Sequence, residues 1–152
     1  VSVNSVSQVN EGGTFTVDIN INNVTYMAYA FFGLEFNSNY VSYKSCDSNS
    51  QIGGGSGSVS AYTIEPGLVR IIVSYSNYAN ANSGYGVSGS GYLCKLNFEA
   101  IAEGKSQLDF VAGQSSGELT LIRWVACNQY ETCIQSEIEN VGWTNGSVKV
   151  VN

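Results

Sequence analysis

The 152-residue chain has no histidine, one proline, one methionine and only six basic residues. Without histidine there is no Ser-His or Cys-His nucleophile pair and no Cys2His2 zinc site. The four cysteines include no Cys-x-x-Cys pair, which removes the remaining zinc-ribbon spacing. Six basic residues scattered from Lys44 to Lys149, against twelve acids, give a net charge of −6 and no cluster for phosphate. Nucleic acid is therefore excluded as a partner. No apolar run is long enough to span a bilayer as a helix, so membrane insertion is not expected. No helix-period pattern of any length is present either.

Charged residues make up only 12% of the chain, while Gly, Ser, Asn and Tyr are abundant. Solubility carried by hydroxyls and amides points to a secreted or cell-surface β-protein. No leader is visible, so the numbering is expected to start after one has been removed. The length suits one domain over residues 1–152, large enough to bury a core without a metal.

Period-two alternation dominates. Phe15, Val17, Ile19 and Ile21 share one face of a strand, with Thr16, Asp18 and Asn20 on the other. Ala28, Ala30, Phe32, Leu34 and Phe36 form the inner face of a second, which leaves Tyr29, Phe31, Gly33 and Glu35 outward. Cys94, Leu96, Phe98 and Ala100 repeat the pattern, and Leu108 and Phe110 follow after the Glu103-Gly104 turn. Glu65-Pro66-Gly67 joins strands 59–64 and 68–75 by a type II turn, where Pro fixes φ and Gly supplies φ > 0. Further strands are expected at 40–46, 118–125 and 147–151, and residues 47–58 and 76–91 read as loops. Val1, Val3 and Val9 share parity but Val6 does not, which implies a bulge or a strand that changes sheets. Nine or ten strands with short turns predict an all-β sandwich or jelly roll.

Four cysteines allow three pairings. Cys127 and Cys133 flank a five-residue polar segment that a hairpin would close, which leaves Cys46 to pair with Cys94. Asn23-Val-Thr25 and Asn145-Gly-Ser147 are N-glycosylation sequons.

Catalytic chemistry finds no purchase. Gly84-Tyr-Gly86-Val-Ser-Gly89 fits a dinucleotide-loop spacing but leads into a strand, not a helix. Glu35, Glu99 and Asp18 fall on outward strand faces and Glu11, Glu65, Glu103 and Glu131 in turns, where a solvated acid is the plain account. Asp47 and nearby amides are the one place that could offer calcium oxygens, without any Asp-x-Asp-x-Asp loop. No cofactor, no metal and no enzyme activity are expected. Two sets of aromatics stand out instead. Tyr29 and Phe31 project from a strand onto its wet face, either as a recognition surface or as a second core beneath a loop, and Gly33 beside them is expected to let a flat ring or a partner strand approach the backbone. Tyr75, Tyr78, Tyr85 and Tyr92 lie in and beside a Ser/Asn/Gly-rich segment, as a sugar-stacking loop or as incidental solvated tyrosines.

The stretches EGGTFTVDININNV and FFGLEFNSNYVSYKS, then VSGSGYLCKLNFEAIAEGKSQLDF and a closing NGSVKVV, resemble the cohesin domain family from Val1 to Asn152. The resemblance implies a nine-stranded extracellular jelly roll related to cellulose-binding modules. Family members in cellulosome scaffolds bind dockerins, through an Asn and an Asp at the positions that match Tyr29 and Phe31 here. That substitution removes hydrogen-bond partners, so binding of the usual dockerin is not carried over.

Three functions are consistent with these residues. The first is a non-catalytic recognition or adhesion module that takes a protein or carbohydrate partner at the cell surface. The second is a subunit of an extracellular filament or pilus, a homo-polymer built by donation of strand Val1–Val9 to a neighbour's open edge. The third is a carbohydrate-binding module of a polysaccharide-degrading protein.

Overall fold

The computed structural model describes residues 1–75, 86–111, 120–125, 134–138 and 141–152. Among them every regular element is a strand: β1 (Ser2–Val3), β2 (Val6–Asn10), β3 (Thr14–Phe36), β4 (Val41–Cys46), β5 (Asn49–Ile52), β6 (Gly55–Glu65), β7 (Leu68–Ser74), β8 (Val87–Ala100), β9 (Gly104–Val111), β10 (Thr120–Val125), β11 (Ile134–Glu137) and β12 (Gly146–Val151). The expected all-β jelly-roll sandwich is the fold observed.

Strand β3 organises the two layers. Its first part, Thr14 to Ile21, pairs antiparallel with β8, and Ile19 and Asn20 also pair with β1. Its second part pairs with β7 on one side and with β9 and β10 on the other. One layer therefore runs β4–β8–β3–β1, and the other runs β6–β7–β3–β9–β12–β2. The change of layer falls at two register shifts between Ile21 and Met27. There Asn23 (φ 55°) and Tyr26 (φ 51°) adopt left-handed backbone, uncommon away from glycine. Their N–H groups donate to Ser90 Oγ and Ser88 Oγ, both at 3.0 Å, so both strained residues keep a partner.

The core lies where the alternation placed it. Phe98 has no exposed surface and is ringed by Phe15 (5.5 Å, stacked), Phe36 (5.1 Å, edge-on) and Tyr43 (5.8 Å, edge-on). Phe32, Phe110 and Trp143 form a second ring cluster, with centroids 5.2–5.9 Å apart.

The N-terminal parity break is a change of layer. β1 joins β3 in one sheet, and β2 runs parallel to β12 in the other. Val3 is 4% exposed and opposite Ile19, its N–H donates to Thr144 O (3.1 Å), and the terminal ammonium donates to Gly142 O (2.6 Å). This segment completes its own sandwich, which counts against donation of Val1–Val9 to a neighbour. Deleting residues 1–10 should abolish the cooperative thermal transition, because it uncovers buried Val148 and Val150 on β12. Calorimetry of the truncated protein checks this; a surviving sharp transition would show the segment to be dispensable.

The Ser/Gly-rich segment at 47–58 is also more ordered than its composition suggested. It forms the β5–β6 hairpin, with Ser50 and Ile52 buried and Gly53 (φ 55°) and Gly54 (φ 85°) at its tip. The turn at Glu65-Pro66-Gly67 is as expected: Gly67 has φ 86°, and a Cβ there would sit 2.5 Å from Phe36 O.

Candidate recognition face

The outer surface of the β6–β7–β3–β9 sheet is set by cross-strand pairs. Tyr29 lies opposite Ser74, Phe31 opposite Ile72, Gly33 opposite Arg70 and Val111, and Glu35 opposite Leu68 and Asp109. Arg70 in turn faces Tyr62 of β6. Paired residues share a face, so these side chains emerge together on the side away from Phe32 and Leu34.

Tyr29 and Phe31 stack at 5.8 Å with 18° between their planes. Both are half-buried, as are Ile72 and Val111, and none of the four packs against the main core. Leu68 is 8% exposed and likewise lies outside that core. Together they make an apolar stripe along the middle of the face. β10 flanks it, with Ile122 opposite Tyr29 and Thr120 opposite Phe31.

Gly33 does not leave the backbone open to a partner, contrary to expectation. A Cβ there would stand 3.0 Å from Val111 Cγ2 and 3.3 Å from Leu68 Cδ1, so the chain's own side chains fill the gap. Gly33 thus lets two neighbours close over β3 and make the stripe continuous. At the Glu35 end the surface becomes acidic. A cleft of about 480 Å³ is lined by Glu35, Glu65, Leu68, Lys105, Gln107 and Asp109. Glu35 and Asp109 are directly opposite each other, a like-charge pair, and Lys105 lines the same cleft.

Tyr62 was not singled out in the sequence, yet it is 56% exposed on this same face. Its signal was the parity of Val59–Ile64, which puts Ser60 and Tyr62 outward.

Of the four tyrosines of the candidate loop, Tyr75 and Tyr92 lie among the described residues. Tyr75 is 4% exposed; its hydroxyl bonds to the buried Ser50 hydroxyl, which also donates to Tyr92 O (2.9 Å). Gly57 makes room for the Tyr75 ring, since a Cβ there would come within 2.6 Å of it. Tyr75 is core and cannot stack on a sugar. Tyr92 is half-buried on β8, paired with Asn20 and Gln51, with Lys95 Nζ 4.8 Å above its ring. Tyr78 and Tyr85 lie outside the described residues.

Burial pushes the Tyr75 hydroxyl up to about 12, against the pull of its Ser50 hydrogen bond. Burial also raises Tyr43 well above the ordinary tyrosine range. Because the folded Tyr75 keeps its proton to higher pH than the unfolded one, its contribution is complete below pH ~10 and lost between ~10 and ~12. Stability should therefore fall through that window, and Tyr75→Phe should flatten the fall. Urea unfolding at stepped pH checks this; an unchanged slope in Tyr75→Phe would assign the loss to other groups.

Cys46 (half-buried) and Cys94 (buried) are free thiols in the structure, so the expected bridge is not formed there. Cys127 and Cys133 lie outside the described residues. Asn23 and Thr25 of the first sequon are exposed, and so is Asn145 of the second, which also accepts a hydrogen bond from Phe110 N–H (2.9 Å) through its Oδ1. Among the described residues no three acidic or thiol groups gather where they could hold a metal ion. No helix there is long and apolar enough to cross a membrane.

The sequence profile of the Cohesin domain matches residues 1–150. The chain belongs to the cohesin family. Cohesins are non-catalytic protein-recognition modules. The fold of this cohesin is similar to that of a non-cellulosomal cohesin from the archaeon Archaeoglobus fulgidus. The TM-score is 0.65 at 14% identity, over 99% of this chain and 89% of the other. It is similar also to the sixth cohesin of scaffoldin B from Acetivibrio cellulolyticus, solved in complex with a Cel5 dockerin variant. There the TM-score is 0.65 at 18% identity, over 99% and 96% of the two chains. A third likeness is the cohesin module of a family 33 glycoside hydrolase from Clostridium perfringens, with TM-score 0.59 and 17% identity over 97% and 93%. No curated protein sequence matches the chain.

Proposed function

We propose that this cohesin is an extracellular recognition module that docks a dockerin-type protein partner on the outer face of the β6–β7–β3–β9 sheet. The observation that carries it is the apolar stripe of Tyr29, Phe31, Ile72 and Val111, half-buried and outside the main core cluster. An apolar patch of this kind, with Arg70 set between Leu68 and Ile72, is what a docking partner covers. Similar modules have been solved with dockerins bound, from Acetivibrio cellulolyticus, from Clostridium thermocellum and in a CaDoc0917–CaCohA2 complex.

With stacked aromatics where other family members present Asn and Asp, the partner is held by apolar burial rather than by a hydrogen-bonded rim. A basic side chain on the partner would relieve the Glu35–Asp109 pair at the cleft. The low charge and the accessible Asn23 sequon support an extracellular setting. Calorimetric titration with a panel of dockerin modules tests the reading. Binding is expected to the members with an apolar, basic-edged surface, with a negative heat-capacity change. Absence of binding to every member would reject the dockerin partner.

A further inference from the structure

We propose that Cys46 and Cys94 are a cross-strand disulfide site that fastens the edge strand β4 to the core strand β8. Register places the two thiols on one surface. Val41 faces Ala100, Tyr43 faces Phe98 and Cys46 faces Leu96, with a one-residue bulge between Tyr43 and Ser45 that restores the inward parity of Cys46. Cys94 precedes Leu96 by two residues on the same inward row, so it is the diagonal neighbour of Cys46 across the pair.

Diagonal Cβ atoms on a sheet stand up to ~7–8 Å apart, and a disulfide needs about 3.5–4.5 Å. Closing the bridge therefore requires β4 to slide along β8 by roughly 3–4 Å. Among the described residues β8 is the one strand paired with β4, and the bulge between Tyr43 and Ser45 already makes that pairing irregular beside Cys46. The two sulfurs already act as neighbours. Burial raises the Tyr43 hydroxyl and Cys46 and Cys94 add to that rise, and Cys46 adds to the upward push that burial exerts on the Cys94 thiol.

An external disulfide, such as oxidised glutathione or an oxidoreductase, supplies the oxidant. The half-exposed Cys46 thiolate attacks one sulfur of the oxidant, forming a mixed disulfide and releasing one thiol. The Cys94 thiolate then attacks Cys46 Sγ and releases the second thiol. Two cysteine thiols thereby lose two protons and two electrons, and the oxidant disulfide is reduced to two thiols. Cys94 has no exposed surface and holds its proton tightly, so the second step is slow once the sandwich has closed. The bridge forms while β4 is still docking, not on the finished fold.

The experiment compares two samples of a Cys127→Ser/Cys133→Ser protein, in which only this pair remains. One is refolded in a reduced/oxidised glutathione buffer, and the other is folded in reductant and then exposed to the same buffer. Digestion without reductant, followed by mass spectrometry, should recover a Cys46–Cys94 peptide from the refolded sample at least tenfold more than from the natively treated one. Reduction should lower the melting temperature of the refolded sample by about 10 °C, since the bridge closes a loop of about fifty residues. Two free, alkylatable thiols after oxidative refolding would overturn the proposal. If the double variant does not fold, the same peptide mapping on the unaltered chain decides, and Cys46 linked to Cys127 or Cys133 would equally overturn it.

Discussion

Truncating Tyr75 to alanine should cost the fold about 3–5 kcal/mol, the range for removing a buried aromatic ring from a packed core. The ring is 4% exposed, lies over Gly57 and carries the hydroxyl that meets Ser50 between β5 and β7. Domains of this kind hold only about 5–15 kcal/mol in total, so the loss would show as a drop of roughly 10 °C or more in melting temperature. Tyr75→Phe keeps the ring and removes one hydrogen bond. Ser50 retains its bond to Tyr92 O, so the expected loss is near 1 kcal/mol. Chemical denaturation of the two variants separates packing from hydrogen bonding. If Tyr75→Ala lost less than about 1 kcal/mol, Tyr75 would be a surface residue after all, and a role in binding would reopen.

The double change Tyr29→Ser with Phe31→Ser should act the other way round, with a large effect on binding and a small one on folding. Both rings are half-buried on the outer face, stacked on each other at 5.8 Å and absent from the main core. Losing their cross-strand contacts with Ser74 and Ile72 should cost no more than ~1.5 kcal/mol of stability. As anchors at the centre of the face they should account for at least ~2 kcal/mol of affinity, about thirtyfold in Kd. Denaturation and titration of the same preparation give both numbers. A variant that loses several kcal/mol of stability yet keeps its partner would show the rings to be core.

These two residue sets mark where the sequence was legible and where it was not. Alternation alone located Phe15–Ile21, Ala28–Phe36 and Cys94–Ala100, because one buried face forces a period of two with no register freedom. The same parity correctly turned Tyr29 and Phe31 outward. Composition failed at 47–58, where Ser and Gly suggested a loop. There Ser50 is buried because a tyrosine twenty-five residues away meets its hydroxyl, and Gly57 is small because that ring needs the space. Neither reason is local. Gly33 misled for a similar cause: its missing side chain serves Val111 and Leu68 from two other strands, not a visitor.

The parallel pairing of β2 with β12 has a mechanical consequence. Because the two strands point the same way, a pull on the leading end of β2 and the trailing end of β12 drags them along each other in opposite directions. Every backbone bond of the pair is then strained at once, instead of opening one after another as in a zipper. A pair loaded in this way resists stretching better than an antiparallel pair of the same length opened from one end.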